Sequence, residues 1–370
     1  MVVSRSRITI DLDNLCHNVN YLKSNNNEKI LCAVVKANAY GHGINIVAKK
    51  LLNLGVQWFA VSSVNEGIEL RKIIGNSNCI LIFPDFYANR WEEIERYNLI
   101  PVIHNFRSLD ELAGSRRSHL KFHIEIDTGM SRTGFNSKDL PKLVSKLKGL
   151  HLDGLEGVYS HLASSEENNK AYTTKQINLL QTACEYLRGQ FECINYIHIE
   201  NSAALFCASN NSFDLFRSGI ALYGIEPTSG ITNNKLKPVL SWTSTPLQIF
   251  ELSKGETVSY ECTWVAPKNS TIAVIPVGYA DGYPRSASNK GYLLVNGCLA
   301  PIVGNICMDS MMIDISDCGI VSLESIVVLV GSQNVASVTI ENIATWANTI
   351  SYEVICNIAP RSDTTYLGIE

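Results

Sequence analysis

Ile30-Leu31-Cys32-Ala33-Val34-Val35 is a run of six apolar residues closed on its C-terminal side by Lys36. Such a short, β-rich run reads as a buried strand. Seven more follow: Trp58–Val61, Cys79–Phe83, Ile100–Ile103, Phe122–Ile126, Leu155–Tyr159, Tyr196–Ile199 and Asp214–Phe216. Helical patterns lie between them. Thr173 and Gln176 form a capping box ahead of Ile177, Leu180, Cys184 and Leu187, with Gly189 past the end. Ser63 with Glu66 makes a second box, and Gly75 closes that helix. Strands alternating with helices predict a parallel α/β sheet, and eight strands close a (β/α)8 TIM-like barrel.

From Leu236 the texture changes. Val239–Leu252, Thr271–Val277 and Met311–Ile315 alternate or run apolar without long helices between them. Asn296-Gly297, between Leu293–Val295 and Cys298–Ala300, is a hairpin signal. Short helical segments follow around Ile343–Ala347 and Tyr352–Ile355. A mainly β C-terminal domain is expected, and Arg7–Asp11 is a further candidate strand for it. The expected division gives residues 11–236 to the barrel, and residues 1–10 with 237–370 to the second domain.

Composition narrows the function. The 370 residues are 46% hydrophobic and 18% charged, enough for a large core and unlike a disordered chain. A formal charge of −4 argues against a nucleic-acid backbone as main ligand. There is no apolar stretch of membrane-spanning length, and residues 1–9 are polar and basic, so no membrane partner and a cytoplasmic location are expected. The eleven cysteines show no CxxC pair or zinc-like cluster, and no metal site is expected. Cys16, Cys32, Cys79, Cys193 and Cys356 sit in apolar runs and read as small buried hydrophobes, left as free thiols.

In a barrel of this kind, chemistry gathers at the C-terminal ends of the strands. Lys36 follows the first strand, Glu125 and Asp127-Thr128-Gly129 close the fifth, and His161 follows the sixth. Ser202 follows the seventh, and Arg217 with Gly219 follows the eighth. A lysine after an Ala-Val-Val strand is either a snorkelling side chain or an amine whose pKa burial lowers, which makes it a Schiff-base nucleophile. Loops after the last two strands commonly hold a phosphate, and Ser202 and Gly219 fall there. Lysine plus phosphate site is the arrangement of pyridoxal phosphate (PLP) enzymes. Ordinary roles stand beside these: His161 and His198 as core-edge histidines, Tyr260 and Tyr279 as packing aromatics, Ser202 as the cap of a helix through Ala203–Ala208, and Asp281 as a turn residue.

The stretch Ala33-Val34-Val35-Lys36-Ala37-Asn38-Ala39-Tyr40-Gly41-His42-Gly43 resembles the PLP-lysine signature of the alanine racemase family. Asp127-Thr128-Gly129-Met130-Ser131-Arg132, Asn201-Ser202-Ala203-Ala204, Val258-Ser259-Tyr260, Gly278-Tyr279-Ala280-Asp281-Gly282-Tyr283 and Met308-Asp309 resemble its later blocks, in order. The resemblance implies a fold-type III PLP enzyme that interconverts L- and D-alanine, supplies D-alanine for peptidoglycan, and works as a head-to-tail homodimer with composite sites. Lys36 would carry PLP as a Schiff base and act as one acid/base; Tyr260 of the partner subunit would be the other. Racemisation needs one such group on each face of Cα, each worth roughly 10²–10⁴-fold in rate. Arg217 resembles the arginine that faces the pyridine nitrogen. A guanidinium donates to that nitrogen without protonating it, giving a weaker electron sink than in transaminases. His198 would bond Arg217, and His161 would sit near Tyr260. Tyr40, Ser202, Gly219, Ile220 and Tyr352 resemble the phosphate cradle. Arg132 and the backbone around Met308 resemble the substrate-carboxylate contacts, with Arg132 also near the cofactor's phenolic oxygen, and Tyr279 resembles an entrance residue.

Two positions depart from that pattern. Many members carry, where this chain has Glu125, a lysine that is carbamylated and orients the arginine matched by Arg132. Glu125 bears the same sign of charge, so the expectation is that it pairs with Arg132 directly or through a water. Glu261 stands where the family usually has glycine. A carboxylate beside a phenol works against loss of the phenol's proton, so Glu261 either points away or occupies a position that needs no glycine. Serine racemisation is the nearest alternative activity, with alanine favoured by Tyr352 and Met308 in a tight site. A non-catalytic PLP-binding protein usually lacks the C-terminal domain and its second base, which Val258-Ser259-Tyr260 argues against. A fold-type III decarboxylase typically sets an acidic partner where Arg217 stands.

Overall fold

The computed structural model describes residues 5–26, 28–164, 170–206, 213–227, 235–358 and 361–369. Its first ten strands are β1 (Ser6–Asp11), β2 (Ile30–Val34), β3 (Trp58–Val61), β4 (Cys79–Ile82), β5 (Ile100–Ile103), β6 (Phe122–Asp127), β7 (Phe135–Asn136), β8 (Leu155–Tyr159), β9 (Tyr196–His198) and β10 (Leu215–Ser218). Parallel pairing runs β10-β2-β3-β4-β5-β6-β8-β9, with the two-residue β7 beside β6. The ring closes at the β9–β10 seam, where Asp214 N–H donates to the Ile197 carbonyl (2.9 Å) and Arg217 N–H to that of Glu200 (3.0 Å). Every residue of β3, β5 and β8 is buried. Strands covered on both faces have no solvent side to alternate toward, hence the unbroken apolar runs of β3 and β5; β8 carries Glu156 and Gly157 within its buried run.

Local signals between the strands were partly misleading. Ser63 caps its helix as expected, accepting from Glu66 N–H (3.2 Å), and Gly75 ends it at φ +72. The Glu66 carboxylate does not return to Ser63. It accepts from Ser62 N–H and Oγ–H (2.8 Å each) and from Ala37 N–H (2.7 Å). Thr173 and Gln176 are not a capping box, because their helix, Lys170–Arg188, has already begun. Thr173 Oγ donates to the Ser164 carbonyl. Buried Gln176 accepts from Ala163 N–H (2.9 Å) and donates to the His161 carbonyl (3.0 Å) and Thr128 Oγ1 (3.3 Å). Cys32 is buried, but Cys193 and Cys356 are exposed and Cys16 and Cys79 half-buried, so an apolar neighbourhood in sequence misjudged their faces. The cysteines among the described residues are free thiols.

Beyond the barrel the chain is mainly β. β1 pairs antiparallel with Leu240–Ser244 and parallel with Asp363–Leu367. The sheet continues through Val327–Gln333 to the hairpin Tyr292–Val295/Cys298–Pro301. Asn296 (φ +54) and Gly297 (φ +78) form its two-residue turn, with the positive φ at both positions that a type I′ turn demands. Gln248–Leu252, Ser270–Ile275 and Met311–Asp314 make a second sheet. Helices Ile340–Ala347, capped by Thr339, and Ser351–Asn357 complete the domain. Ile8, Trp242 and Leu293 belong to the same apolar cluster as Ala33, Phe59 and Ile124, so sheet and barrel share one core. Among the described residues, no helix is long and apolar enough to cross a membrane.

Candidate active site

Lys36 stands at the C-terminal end of β2, and the chain then turns through Ala37 (φ +51), Asn38 (+54), Ala39 (+54) and Tyr40 (+52). Four consecutive non-glycine residues in the left-handed region cost about 1–2 kcal/mol each. The turn is braced from outside: Glu66 holds Ala37 N–H, and Asn38 Oδ1 accepts from Ile44 N–H (2.8 Å). Burial, and then the nearby Arg132, push the Lys36 amine below its ordinary pKa, against a smaller opposing pull from Glu66 and Cys356.

The turn delivers Tyr40 to the start of the segment after β10. A Cβ placed on Gly219 would lie 2.5 Å from Tyr40 Oη, so only glycine leaves this space open. Ser202 Oγ accepts from Gly219 N–H (2.9 Å). Ile220 opens a short 3-10 turn there, and Tyr352 faces Tyr40 with ring centroids 6.3 Å apart. Ser202 is thus a latch to Gly219; Asn201 Oδ1 instead accepts from Ala204 N–H (3.1 Å). The short helix there spans Ala204–Phe206, and the rest of the helix expected through Ala208 lies outside the described residues.

Arg217, 3% exposed, is the electrostatic centre of the barrel mouth. Nη1 bonds His198 Nδ1 (2.8 Å), while Nη2 donates to the Ser160 carbonyl (2.9 Å) and contacts His161 Nδ1 (3.3 Å). Its guanidinium lies 5.0 Å over the Tyr159 ring, which stacks on His198 at 7°. Burial, reinforced by Arg217, drops His161 to about 3 and holds His198 well below its ordinary value. Burial likewise takes His123 to about 3 and His42 to about 4. These rings are neutral when folded and take up protons on unfolding below pH 6.5. Their stabilisation is complete above that value and lost as pH falls toward the folded pKa. At pH 5 each of His42, His123 and His161 is expected to cost about 2 kcal/mol relative to pH 7. Urea midpoints at the two pH values check this, and equal midpoints would contradict it.

Glu125 is buried, as an inward-facing carboxylate should be, but the expected pairing with Arg132 is not made. The Thr133 and Tyr159 hydroxyls hold its pKa down as neighbours, Oε2 is without a hydrogen bond among the described residues, and Arg132 acts only as a nearby charge. Burial raises its pKa. The reason is the turn after β6, where Asp127 Oδ1 accepts from Gly129 (2.9 Å) and Ser131 (3.0 Å) N–H groups, and beyond which Arg132 is exposed.

Tyr260 and Met308 lie elsewhere. They line a cavity of about 520 Å³ with Ser259, Cys307, Asp309 and Ser310, and are 69% and 53% exposed. Tyr279 N–H and Ala280 N–H donate to the Cys307 and Met308 carbonyls, tying the Tyr279 turn to the same wall. Asp281 is structural, accepting from Gly278 N–H and pairing with Arg361 (2.9 Å). Ser259, Glu261 and Cys262 all have positive φ, so the Glu261 position does adopt the backbone that favours glycine. Its carboxylate is occupied: Asn305 Nδ2 donates to Glu261 Oε2 (3.1 Å) and to the Tyr260 carbonyl (3.0 Å). Sequence reading missed Asn305, Glu66, Tyr159 and His123, because each works through an element distant in sequence. Only Glu66, as a capping candidate, left a local signal. Among the described residues, no hydrogen bond or ring contact joins the residues lining the Tyr260 cavity to Lys36 or Arg217.

The alanine racemase N-terminal domain family matches residues 10–227, and the alanine racemase C-terminal domain family residues 239–366. An alanine racemase of Halothermothrix orenii is 39% identical over 95% of this chain and 94% of its own length. One from Clostridium kluyveri is 36% identical over 97% and 93%. The crystal structure of alanine racemase from D-cycloserine producing Streptomyces lavendulae superposes with a TM-score of 0.94 at 29% identity, covering 100% of this chain and 98% of that one. That of Bartonella henselae, with covalently bound pyridoxal phosphate, gives 0.90 at 30% identity, covering 98% and 99%. With both domain families matched in order and full-length relatives above 30% identity, the chain belongs to the alanine racemase family.

Proposed function

We propose that Lys36 and Tyr260 of the partner subunit are the two acid/base groups with which this PLP-dependent alanine racemase interconverts L- and D-alanine. The observation that carries the reading is the division of the chemistry between two places in one chain: a half-buried amine at the barrel mouth, near enough to act on His161 as Arg217 does, and an exposed phenol in a cavity of the second domain. A head-to-tail cytoplasmic homodimer would bring the phenol of one chain to the amine of the other. The division into residues 11–236 and residues 1–10 with 237–370 belongs to the same proposal, supported by the pairing of Ser6–Asp11 with Leu240–Ser244.

The residues fit PLP. Tyr40, Ser202, Gly219, Ile220 and Tyr352 form a small space edged by hydroxyls and backbone N–H groups that a single Cβ would fill, suited to a phosphate. When bound, PLP supplies the electron sink that lowers the barrier to removing the Cα proton. Lys36 anchors it and moves a proton at one face of Cα; Tyr260 does so at the other. Arg217 donates toward the ring nitrogen and is held in place by His198 and the Ser160 carbonyl. Arg132 and the backbone at Met308 hold the substrate carboxylate, His161 sits near the incoming Tyr260, and Tyr279 stands at the entrance. Supply of D-alanine to the cell wall follows as the role of such an activity.

Deuterium incorporation at Cα of L-alanine in D₂O, with chiral analysis, tests the reading. Exchange with accumulation of equal D- and L-alanine is expected; cofactor binding without exchange would leave only a PLP carrier. Gly219→Ala tests the cradle separately. Its Cβ meets Tyr40 Oη, so PLP affinity is expected to fall at least about tenfold, what one lost hydrogen bond amounts to, with the fold retained. Equilibrium titration with PLP reads that change.

A further inference from the structure

Beyond Arg217 a line of polar groups runs through the barrel interior toward the N-terminal side of the strands. Arg217 Nη1 lies 2.8 Å from His198 Nδ1, and His198 Nε2 lies 2.9 Å from His123 Nδ1. His123 Nε2 lies 3.9 Å from Glu156 Oε1, and Glu156 Oε2 lies 2.8 Å from Lys121 Nζ. His123 and His198 are fully buried, Glu156 is nearly so, and Lys121 is largely exposed. The path is shaped for its rings. A Cβ on Gly157 would meet His123 atoms at 2.5–2.6 Å, so this strand position is kept bare to admit the imidazole.

We propose that Glu156 is a positioning residue for Arg217, acting through the ordered tautomers of His123 and His198. The inference rests on the reading of Arg217 as the group that faces the cofactor ring. A guanidinium has donors and no acceptor, so His198 Nδ1 must be the unprotonated nitrogen in its bond with Arg217. A neutral His198 then carries its proton on Nε2 and donates it to His123 Nδ1. A neutral His123 in turn carries its proton on Nε2, aimed at Glu156. Both His123 Nε2 and Glu156 Oε1 are without another partner among the described residues. Every donor in the line therefore points away from Arg217, and a carboxylate terminates it. Reversing any one ring sets two donors, or two acceptors, against each other at the next contact. At 3.9 Å the carboxylate accepts no hydrogen bond from His123; its negative charge favours the Nε2–H form at the far end of a line that Arg217 orders at the near end, and without it His123 is ordered by His198 alone.

Glu156→Ala, Glu156→Gln and Lys121→Ala, as full chains labelled with ¹⁵N-histidine, test this by nitrogen NMR with and without PLP. Wild type is expected to show the Nε2–H tautomer at both His123 and His198. Glu156→Ala should bring in the Nδ1–H form at His123, shift the absorbance of bound PLP, and lower kcat up to about fivefold, the size of one weak charge contact, with little change in KM for alanine. Glu156→Gln, which keeps a carbonyl dipole there without the charge, should restore only part of the Nε2–H population. Should the alanine variant fail to fold, Nδ1–H rings in wild type, or a Glu156→Gln tautomer population equal to that of wild type, would overturn the proposal. So would unchanged tautomers in folded Glu156→Ala, or Lys121→Ala reproducing its effects, which would assign them to the lost surface ion pair. The tautomers are read in the PLP-free chain too, so failure of the racemase reading registers separately, as absent Cα exchange.

Discussion

Tyr260→Phe is expected to lower conversion of L- to D-alanine by about 10²–10⁴-fold, the range for loss of one positioned acid/base group. The fold should be untouched, because the ring is 69% exposed and its hydroxyl makes no hydrogen bond among the described residues. The backbone around it is elaborately held: Ser259 Oγ donates to the Asn305 carbonyl (2.5 Å), and Asn305 returns two bonds to Tyr260 and Glu261. That effort sets the ring's direction and leaves its function to the hydroxyl. With one face of Cα still served by Lys36, the variant should exchange the Cα hydrogen of one enantiomer faster than that of the other. Deuterium incorporation from D₂O, followed separately for L- and D-alanine, reads the asymmetry. Equal loss for both enantiomers would remove Tyr260 from the two-base scheme.

Glu66→Ala carries the second large effect, although Glu66 touches neither substrate nor cofactor in the proposed scheme. Four left-handed residues after Lys36 store about 4–8 kcal/mol of backbone strain. The Glu66 carboxylate ties the first of them to Ser62 on the neighbouring segment. Released, the turn is expected to shift Lys36 and Tyr40, and a misplacement of about 1 Å costs about 10²-fold in kcat/KM. Glu66→Gln should recover part of the loss, since its carbonyl still accepts from Ala37 N–H while its amide confronts the Ser62 N–H. The carboxylate also raises the Lys36 pKa, so both variants should titrate Lys36 at lower pH than wild type. Amine labelling of Lys36 in the PLP-free chain, followed against pH, separates charge from geometry. Unchanged activity and labelling in Glu66→Ala would mean that Asn38 and the rest of the turn hold the strain alone.

How legible the molecule was in its sequence depended on distance along the chain. Strands such as Trp58–Val61 and Ile100–Ile103 were readable to the residue, because burial on both faces writes itself as an unbroken apolar run. The Asn296-Gly297 turn was readable because its backbone demands those residues. Arg7–Asp11 stayed ambiguous, since its partners Leu240–Ser244 and Asp363–Leu367 lie more than two hundred residues away. Thr173 and Gln176 carried a cap pattern inside a helix, and the buried amide of Gln176 was serving the His161 loop instead. At the site, Lys36, Arg217 and Ser202 stood out by residue type at strand ends. The setting of Glu125 beside Thr133 and Tyr159 did not, because charge complementarity suggested Arg132 and only the turn at Asp127 turns that arginine away.

With Tyr260 taken from the partner subunit, catalysis in the proposed scheme is a property of encounter. Each chain would bring one half of two reactions, so activity per chain should decline on dilution once dimers part, even with every chain folded. A mixture of Lys36→Ala and Tyr260→Phe chains, each inert alone, should regain about a quarter of wild-type activity through random pairing, one intact site in each mixed dimer. What selection acts on here is therefore a pair of surfaces as much as a pocket, and an agent that only wedged two copies apart would silence the enzyme without reaching the cofactor.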